Sequence, residues 1–83
     1  MSKLVKKIEN VIIPGIILKL QHDRVVHTYN EDEHSIVVKD KPIEFIEELV
    51  ISVYNELTDI KNPQDKFSLK QLGDKVYIYF YTN

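Results

Sequence analysis

Histidine and carboxylate side chains are the groups in this 83-residue chain best suited to catalysis or metal binding, because cysteine is absent. The histidines are His22, His27 and His34. On one face of a hairpin, His27 and His34 could hold a divalent cation together with the carboxylate of Glu33. Their spacing matches no ligand signature, so we predict no metal site and interpret the histidines as surface residues.

Two groups of carboxylates raise the same question. The acidic loop at residues 31–33 lacks the alternating oxygen ligands and the central glycine of a calcium-binding EF-hand loop. Glu44 and Glu48 are four residues apart, a spacing at which a general acid and a general base could share one helix face. That face is the polar side of an amphipathic helix, so solvated charge is the simpler interpretation of both groups.

Motifs for covalent or nucleotide chemistry are missing from the sequence. Gly15 and Gly73 are its only glycines, so a glycine-rich loop that cradles phosphate cannot form. No nucleophile elbow is present, and without cysteine the remaining nucleophiles are Ser, Thr and Lys in no activating context. We therefore predict that the protein is not an enzyme and uses no cofactor.

An alternating row of tyrosines near the C-terminus is a candidate nucleic-acid interface. Tyr77, Tyr79 and Tyr81 share one face of a predicted strand, with Lys66 and Lys70 on the strand paired with it. Aromatic rings can stack on bases, and lysines can hold phosphates. The same row would suit a homodimer interface, and tyrosine is also simply a common strand residue. Nucleic-acid binding and a homodimer-forming structural role are therefore the alternative functions.

The surface feature that we weigh most is an unbalanced set of carboxylates. The main predicted helix has an acidic polar side and no lysine or arginine between Pro42 and Ile60. Like charges at helical spacing cost a few tenths of a kcal/mol each, so a basic partner would stabilise them. We predict a partner-binding surface formed by the acidic loop and this helix, namely Glu31, Asp32, Glu33, Glu44, Glu47, Glu48, Glu56 and Asp59.

The element that positions most of these carboxylates is an amphipathic helix predicted over residues 42–60. Asp40 is its predicted N-cap, Pro42 suits its first turn, and Asn62-Pro63 ends it. Apolar residues recur at helical spacing and form one broad stripe, consisting of Ile43, Ile46, Leu49, Val50, Val53, Tyr54, Leu57 and Ile60.

The N-terminal third has a more ambiguous pattern. A short helix is predicted from about residue 3 to residue 10, and a strand remains the alternative because β-branched residues are frequent over residues 3–12. Pro14-Gly15 predicts a turn. A strand is predicted after it, over residues 16–21.

Two hairpins complete the sequence pattern. Residues 24–29 and 34–39 predict the first, with Tyr29 opposite His34 across the acidic loop. Residues 66–72 and 75–82 predict the second around Gly73-Asp74, with Phe67 opposite Phe80.

The order α-β-β-β-α-β-β indicates a two-layer α+β fold, an antiparallel sheet of about five strands with the 42–60 helix across one face. Residues 1–83 are expected to form a single domain. Without cysteine or a long apolar run, we expect a cytoplasmic protein that has no membrane partner. The predicted function is a small non-catalytic protein-binding domain, a regulator or inhibitor. Its acidic surface would dock onto a basic surface of a larger protein, such as a nucleic-acid-binding groove.

Overall fold

A computed structural model of the chain describes residues 6–22, 27–30, 33–57 and 61–81. Two helices and four strands follow one another as helix, two strands, helix and two strands within these ranges. The elements are a π-helical segment (Ile8–Ile12) that runs into α1 (Ile13–His22), then β1 (His27–Asn30), β2 (Ser35–Lys39), α2 (Ile43–Leu57), a 3-10 turn (Pro63–Asp65), β3 (Phe67–Leu72) and β4 (Lys75–Phe80).

The strands form one antiparallel sheet in the order β1-β2-β4-β3, so that β1 and β3 are its edges. The prediction of a two-layer α+β protein is confirmed. The prediction of five strands and of the order α-β-β-β-α-β-β is not, because the described ranges contain four strands and residues 16–21 are helical.

The first helix is the main difference from the sequence pattern. Ile8, Ile12, Ile16 and Leu20 recur every fourth residue and are fully buried, so helical periodicity outweighs the strand preference of isoleucine here. The helix predicted to end near Asn10 continues through α1, and its predicted residues 3–5 lie outside the described residues.

Pro14-Gly15 lies inside this helix, so the turn predicted there is wrong. The Ile13 N–H donates to the carbonyl of Ile8, five residues back, as in a π-helix. Proline has no N–H, and its ring crowds the carbonyl four residues earlier. The π-helical hydrogen bond of Ile13 therefore comes directly before Pro14, the residue that fits least well inside an α-helix.

Helix α2 carries the predicted apolar stripe. Ile46, Val50, Val53 and Tyr54 are fully buried, and Leu49 is buried to nine-tenths. The helix extends over Ile43–Leu57, and the predicted last turn, residues 58–60, lies outside the described residues.

The N-cap prediction for Asp40 is wrong. The first intrahelical bond runs from the Ile46 N–H to the carbonyl of Pro42 at 3.2 Å, which places Pro42 at the cap. Asp40 has a left-handed backbone with φ of 66°, and its N–H donates to the carbonyl of Asp74 at 3.0 Å. Asp40 therefore turns the chain out of β2 rather than capping the helix.

The two hairpins differ in how well sequence pattern predicts their register. In the second, Phe67 pairs with Phe80 as predicted. In the first, Tyr29 pairs with Ile36 rather than with His34, a shift of two residues. A two-residue shift keeps each residue on its predicted face, whereas a one-residue shift would reverse them all. His34 lies in the turn before β2, and its backbone there is left-handed with φ of 49°.

The hydrophobic core lies between the helices and one face of the sheet. The buried apolar residues of the sheet face the helices, namely Ile36, Val38, Phe67, Val76, Ile78 and Phe80. Along β4 they alternate with more exposed neighbours. The buried side chains form a single cluster that includes both helices. In the described ranges, neither helix is long and apolar enough to cross a lipid bilayer.

Candidate binding face of the sheet

The side of the sheet that faces away from the core is the leading candidate for a binding surface. We call it the open face, and it is built from alternate residues of β2, β4 and β3. Its three rows follow from the strand register, Ser35 with Tyr79 and Ser68, Val37 with Tyr77 and Lys70, and Lys39 with Lys75 and Leu72. Neither described helix covers these rows, because both helices contribute to the core on the other side.

Two tyrosine rings form the middle of the open face. The ring centroids of Tyr77 and Tyr79 are 6.3 Å apart, and their planes differ by 10°. Both side chains are half-buried, and Ser35, opposite Tyr79, is only 2 % exposed. The two nearly parallel rings therefore form an aromatic pair on this face. Tyr81 lies just beyond β4 and is 48 % exposed.

Lysines surround the aromatic pair. Lys70 pairs across the strands with Tyr77, and Lys39 pairs with Lys75 one row further along. Near the other end, the Tyr81 N–H donates to the carbonyl of Lys66 at 2.9 Å. Lys39 is 3.8 Å from the Asp74 carboxylate, and both side chains are well exposed. Within the described ranges Lys66, Lys70 and Lys75 form no ion pair, so their charges remain available to a ligand.

The structure thus brings together the predicted Tyr77, Tyr79, Lys66 and Lys70, with Tyr81 at the margin. Sequence reasoning missed Lys39, Lys75 and Val37 as members of the same face. Lys39 and Val37 join it through the pairing of β2 with β4, two strands separated in the chain by the whole of α2. A local sequence pattern does not predict the pairing of two strands that are so far apart in the chain.

The predicted acidic surface is only partly assembled. Glu33, Glu44, Glu47 and Glu48 are exposed, and among the described residues none of these four forms an ion pair. Glu44 lies in the first turn of α2, where the helix dipole favours negative charge, and Glu47 and Glu48 follow it in the next turn. The predictions for Glu31, Asp32 and Asp59 lie outside the described residues.

Glu56 does not lack a counter-charge. Its Oε1 atom is 3.4 Å from the Nζ atom of Lys19 on α1 and 3.4 Å from the Ser52 hydroxyl. Glu56 therefore has a counter-charge from a neighbouring helix, whereas its predicted part in partner binding stays a prediction. No pattern within α2 itself could show the pairing with Lys19.

His34 is the one histidine candidate whose side chain lies within the described residues. The Nε2 atom of His34 is 3.0 Å from Oε1 of Glu9, which ties the β1–β2 turn to the π-helical segment. Glu33 accepts a hydrogen bond from the Asn30 side chain at 3.1 Å. The side chains of His22 and His27 lie outside the described part of the chain. Among the described residues, no group of three His, Asp or Glu side chains could hold a metal ion.

Two shallow grooves lie on the helical side. One of about 390 Å³ runs along α2 itself and is lined by Glu48, Ile51, Ser52, Asn55 and Glu56. The other, of about 300 Å³, separates the start of α2 from β3 and is lined by Ile43, Glu47, Gln64, Phe67, Ser68 and Leu69. Glu44 is absent from both linings, so neither groove brings the Glu44 and Glu48 pair together around a substrate.

Comparisons with protein-family models, with curated proteins and with solved structures find no match to this chain.

Proposed function

We propose that this protein is a non-catalytic binding domain whose open face binds single-stranded nucleic acid. The observation that carries the proposal is the pair of nearly parallel rings, Tyr77 and Tyr79, on a sheet surface that neither described helix covers and that lysines surround. Base–aromatic stacking and lysine–phosphate contacts are the two interactions by which such surfaces hold single strands.

The ligand is assigned as single-stranded because of the tyrosines. In a duplex the base faces are stacked on one another and are not accessible to a side chain, whereas a single strand can turn its bases onto a ring. Lys70 lies directly beside Tyr77, and Lys75 lies two residues before it on the same strand. Phosphates on either side of a base stacked on Tyr77 could therefore each meet an ammonium group.

A second copy of the chain fits the open face less well. Face-to-face pairing of two identical surfaces would bring Lys39, Lys70 and Lys75 of each copy against those of the other. Like charges placed close together oppose association. A polyanion neutralises the same lysines and releases counterions, which favours binding.

The net charge of −2 is compatible with a local basic surface. Exposed carboxylates Glu44, Glu47 and Glu48 lie on α2, in the layer on the other side of the sheet. The acidic charge would then face away from a bound strand and orient the protein as it approaches.

The test is fluorescence anisotropy with labelled single-stranded oligothymidine and oligouridine at two salt concentrations, with a duplex of the same length as competitor. Binding should strengthen as salt is lowered, because phosphate contacts release counterions. Tyr77→Ala and Tyr79→Ala should each weaken binding by about 5- to 150-fold, the range expected for loss of one stacked base.

Two double variants that each remove two positive charges distinguish binding at the open face from non-specific electrostatic attraction to the whole protein. Lys70→Gln with Lys75→Gln should weaken binding and flatten the salt dependence. Lys6→Gln with Lys7→Gln removes the same charge from two exposed residues directly before the π-helical segment and should leave affinity within about twofold. No binding at low salt, or equal losses in the two charge variants, would refute the proposal.

A second candidate function rests on the exposed carboxylates of α2. Glu44, Glu47 and Glu48 have no ion-pair partner among the described residues, which supports docking of this acidic surface onto a basic partner protein. In affinity purification from the native host, partners captured by the wild type should be lost from a Glu44→Lys, Glu48→Lys variant. Retention of every partner would exclude this surface.

A further inference from the structure

The outer edge of β3 has backbone groups that no described strand satisfies. The Tyr81 N–H donates to the Lys66 carbonyl at 2.9 Å, which marks residues 66 and 81 as a hydrogen-bonded pair. In an antiparallel ladder such pairs alternate, so Ser68, Lys70 and Leu72 point their backbone groups toward β4. The N–H and C=O groups of Phe67, Leu69 and Gln71 therefore point away from the sheet.

A groove runs alongside this edge on the helical side. It has a volume of about 300 Å³, and Ile43 and Glu47 of α2 form one wall while Phe67 and Leu69 of β3 form the other. Ile43 and Leu69 are partly buried against the core and leave apolar surface in the groove. The groove is partly apolar, since Gln64, Ser68 and Glu47 also line it. An edge strand beside a groove with apolar side chains is the arrangement by which proteins add an extended peptide to a sheet.

We propose that β3 binds an extended peptide as a fifth strand, with alternate residues apolar toward the groove and acidic toward Lys70. The backbone groups of Phe67, Leu69 and Gln71 supply the hydrogen bonds, and the groove accepts the apolar side chains. On the open face, peptide residues beside Lys66 and Lys70 meet ammonium groups that form no ion pair within the described part of the chain.

Charge at Lys70 selects this partner over a second copy of the chain. An antiparallel copy centred on Leu69 would place Ser68 opposite Lys70 and bring the two Lys70 side chains onto one diagonal of the open face. Lysine on an edge strand opposes pairing with neutral or basic strands, and it favours an acidic one. The site shares Lys66 and Lys70 with the open face, but its hydrogen bonds and its groove lie elsewhere, so it does not depend on the proposed nucleic-acid function.

The probes are two synthetic peptides of about eight residues, one alternating Val and Glu and the other alternating Val and Lys. Calorimetry should show binding of the Val/Glu peptide and at least about fivefold weaker binding of the Val/Lys peptide. Because the protein is acidic overall, non-specific attraction predicts the reverse order. Preference for the Val/Lys peptide, or no binding of either, would overturn the proposal.

Two variants test the mechanism. Gln71→Pro removes one outward N–H without touching the bonds to β4, and should weaken the Val/Glu peptide at least about fivefold relative to Gln71→Ala. Gln71 is exposed, which limits the disturbance of the core. Lys70→Glu should reverse the peptide preference and serves as the deciding test if Gln71→Pro fails to fold.

If Lys70→Glu still prefers the Val/Glu peptide, the proposal is overturned. It is also overturned if the protein binds neither peptide and sediments as a dimer that dissociates in Gln71→Pro. That result would assign the edge of β3 to a second copy of the chain. Oligonucleotide binding by Gln71→Pro should match the wild type, so loss of one site is distinguishable from loss of the other.

Discussion

Tyr54 should make the protein lose stability in alkaline solution. Its side chain has no exposed surface, and its ring is stacked on Phe67 with centroids 6.1 Å apart. Burial raises the pKa of Tyr54 from its ordinary value of 10.0 to about 12, because ionisation would place a phenolate in the core. The hydroxyl therefore stays protonated in the folded protein at pH values where it ionises in the unfolded chain.

The size of the effect follows from linkage. Below pH 10 both states are protonated, so burial of Tyr54 adds no pH dependence there. As pH rises from 10 through 12, only the unfolded state loses the proton, and the free energy of unfolding falls by up to about 2.7 kcal/mol. Between pH 9 and pH 11 the expected fall is about 1.3 kcal/mol.

Tyr54→Phe isolates the contribution of Tyr54 ionisation to the free energy of unfolding, since it keeps the ring and removes the ionisable group. Urea unfolding followed by circular dichroism at a series of alkaline pH values gives the free energy of unfolding of both proteins. The other four tyrosines and the lysines titrate equally in both, so they cancel in the difference. The wild type should lose about 1.3 kcal/mol more than Tyr54→Phe between pH 9 and pH 11. Parallel losses within about 0.3 kcal/mol would refute the reasoning.

Three further predictions concern stability and use urea unfolding. Ile78→Ala should lower the free energy of unfolding by about 2–5 kcal/mol, because a fully buried side chain in a central strand leaves a cavity; a loss below about 1 kcal/mol would contradict the described core. Gly73→Ala should cost about 1–2 kcal/mol, because φ is 63° although a Cβ atom meets nothing within 4 Å. No loss would show that the turn adopts another conformation. In a double-mutant cycle, Lys19→Ala and Glu56→Ala should show a coupling of about 0.2–1 kcal/mol that shrinks in high salt, because both side chains are exposed. A coupling that salt does not change would rule out a simple surface ion pair.

Local sequence pattern was sufficient wherever one element's own residues decide the structure. The stripe of α2 is buried as its 3.6-residue period requires, and Phe67 pairs with Phe80 because the two-residue Gly73-Asp74 turn leaves one register. It failed at residues 16–21, where β-branched isoleucines favour a strand in isolation. There the burial of Ile16 and Leu20 against the rest of the core outweighs that preference.

The candidate site likewise combines features that the sequence predicts with features that depend on the tertiary structure. The alternation of Tyr77 and Tyr79 with buried residues determined, by itself, that the rings share the face of the strand opposite the core. Only the tertiary structure decided that both helices pack on the other face, that Lys39 joins the tyrosines through β2, and that Lys19 neutralises Glu56. Each of these contacts joins residues far apart in the chain. Their free energy depends on how whole elements pack, which no short window of sequence records.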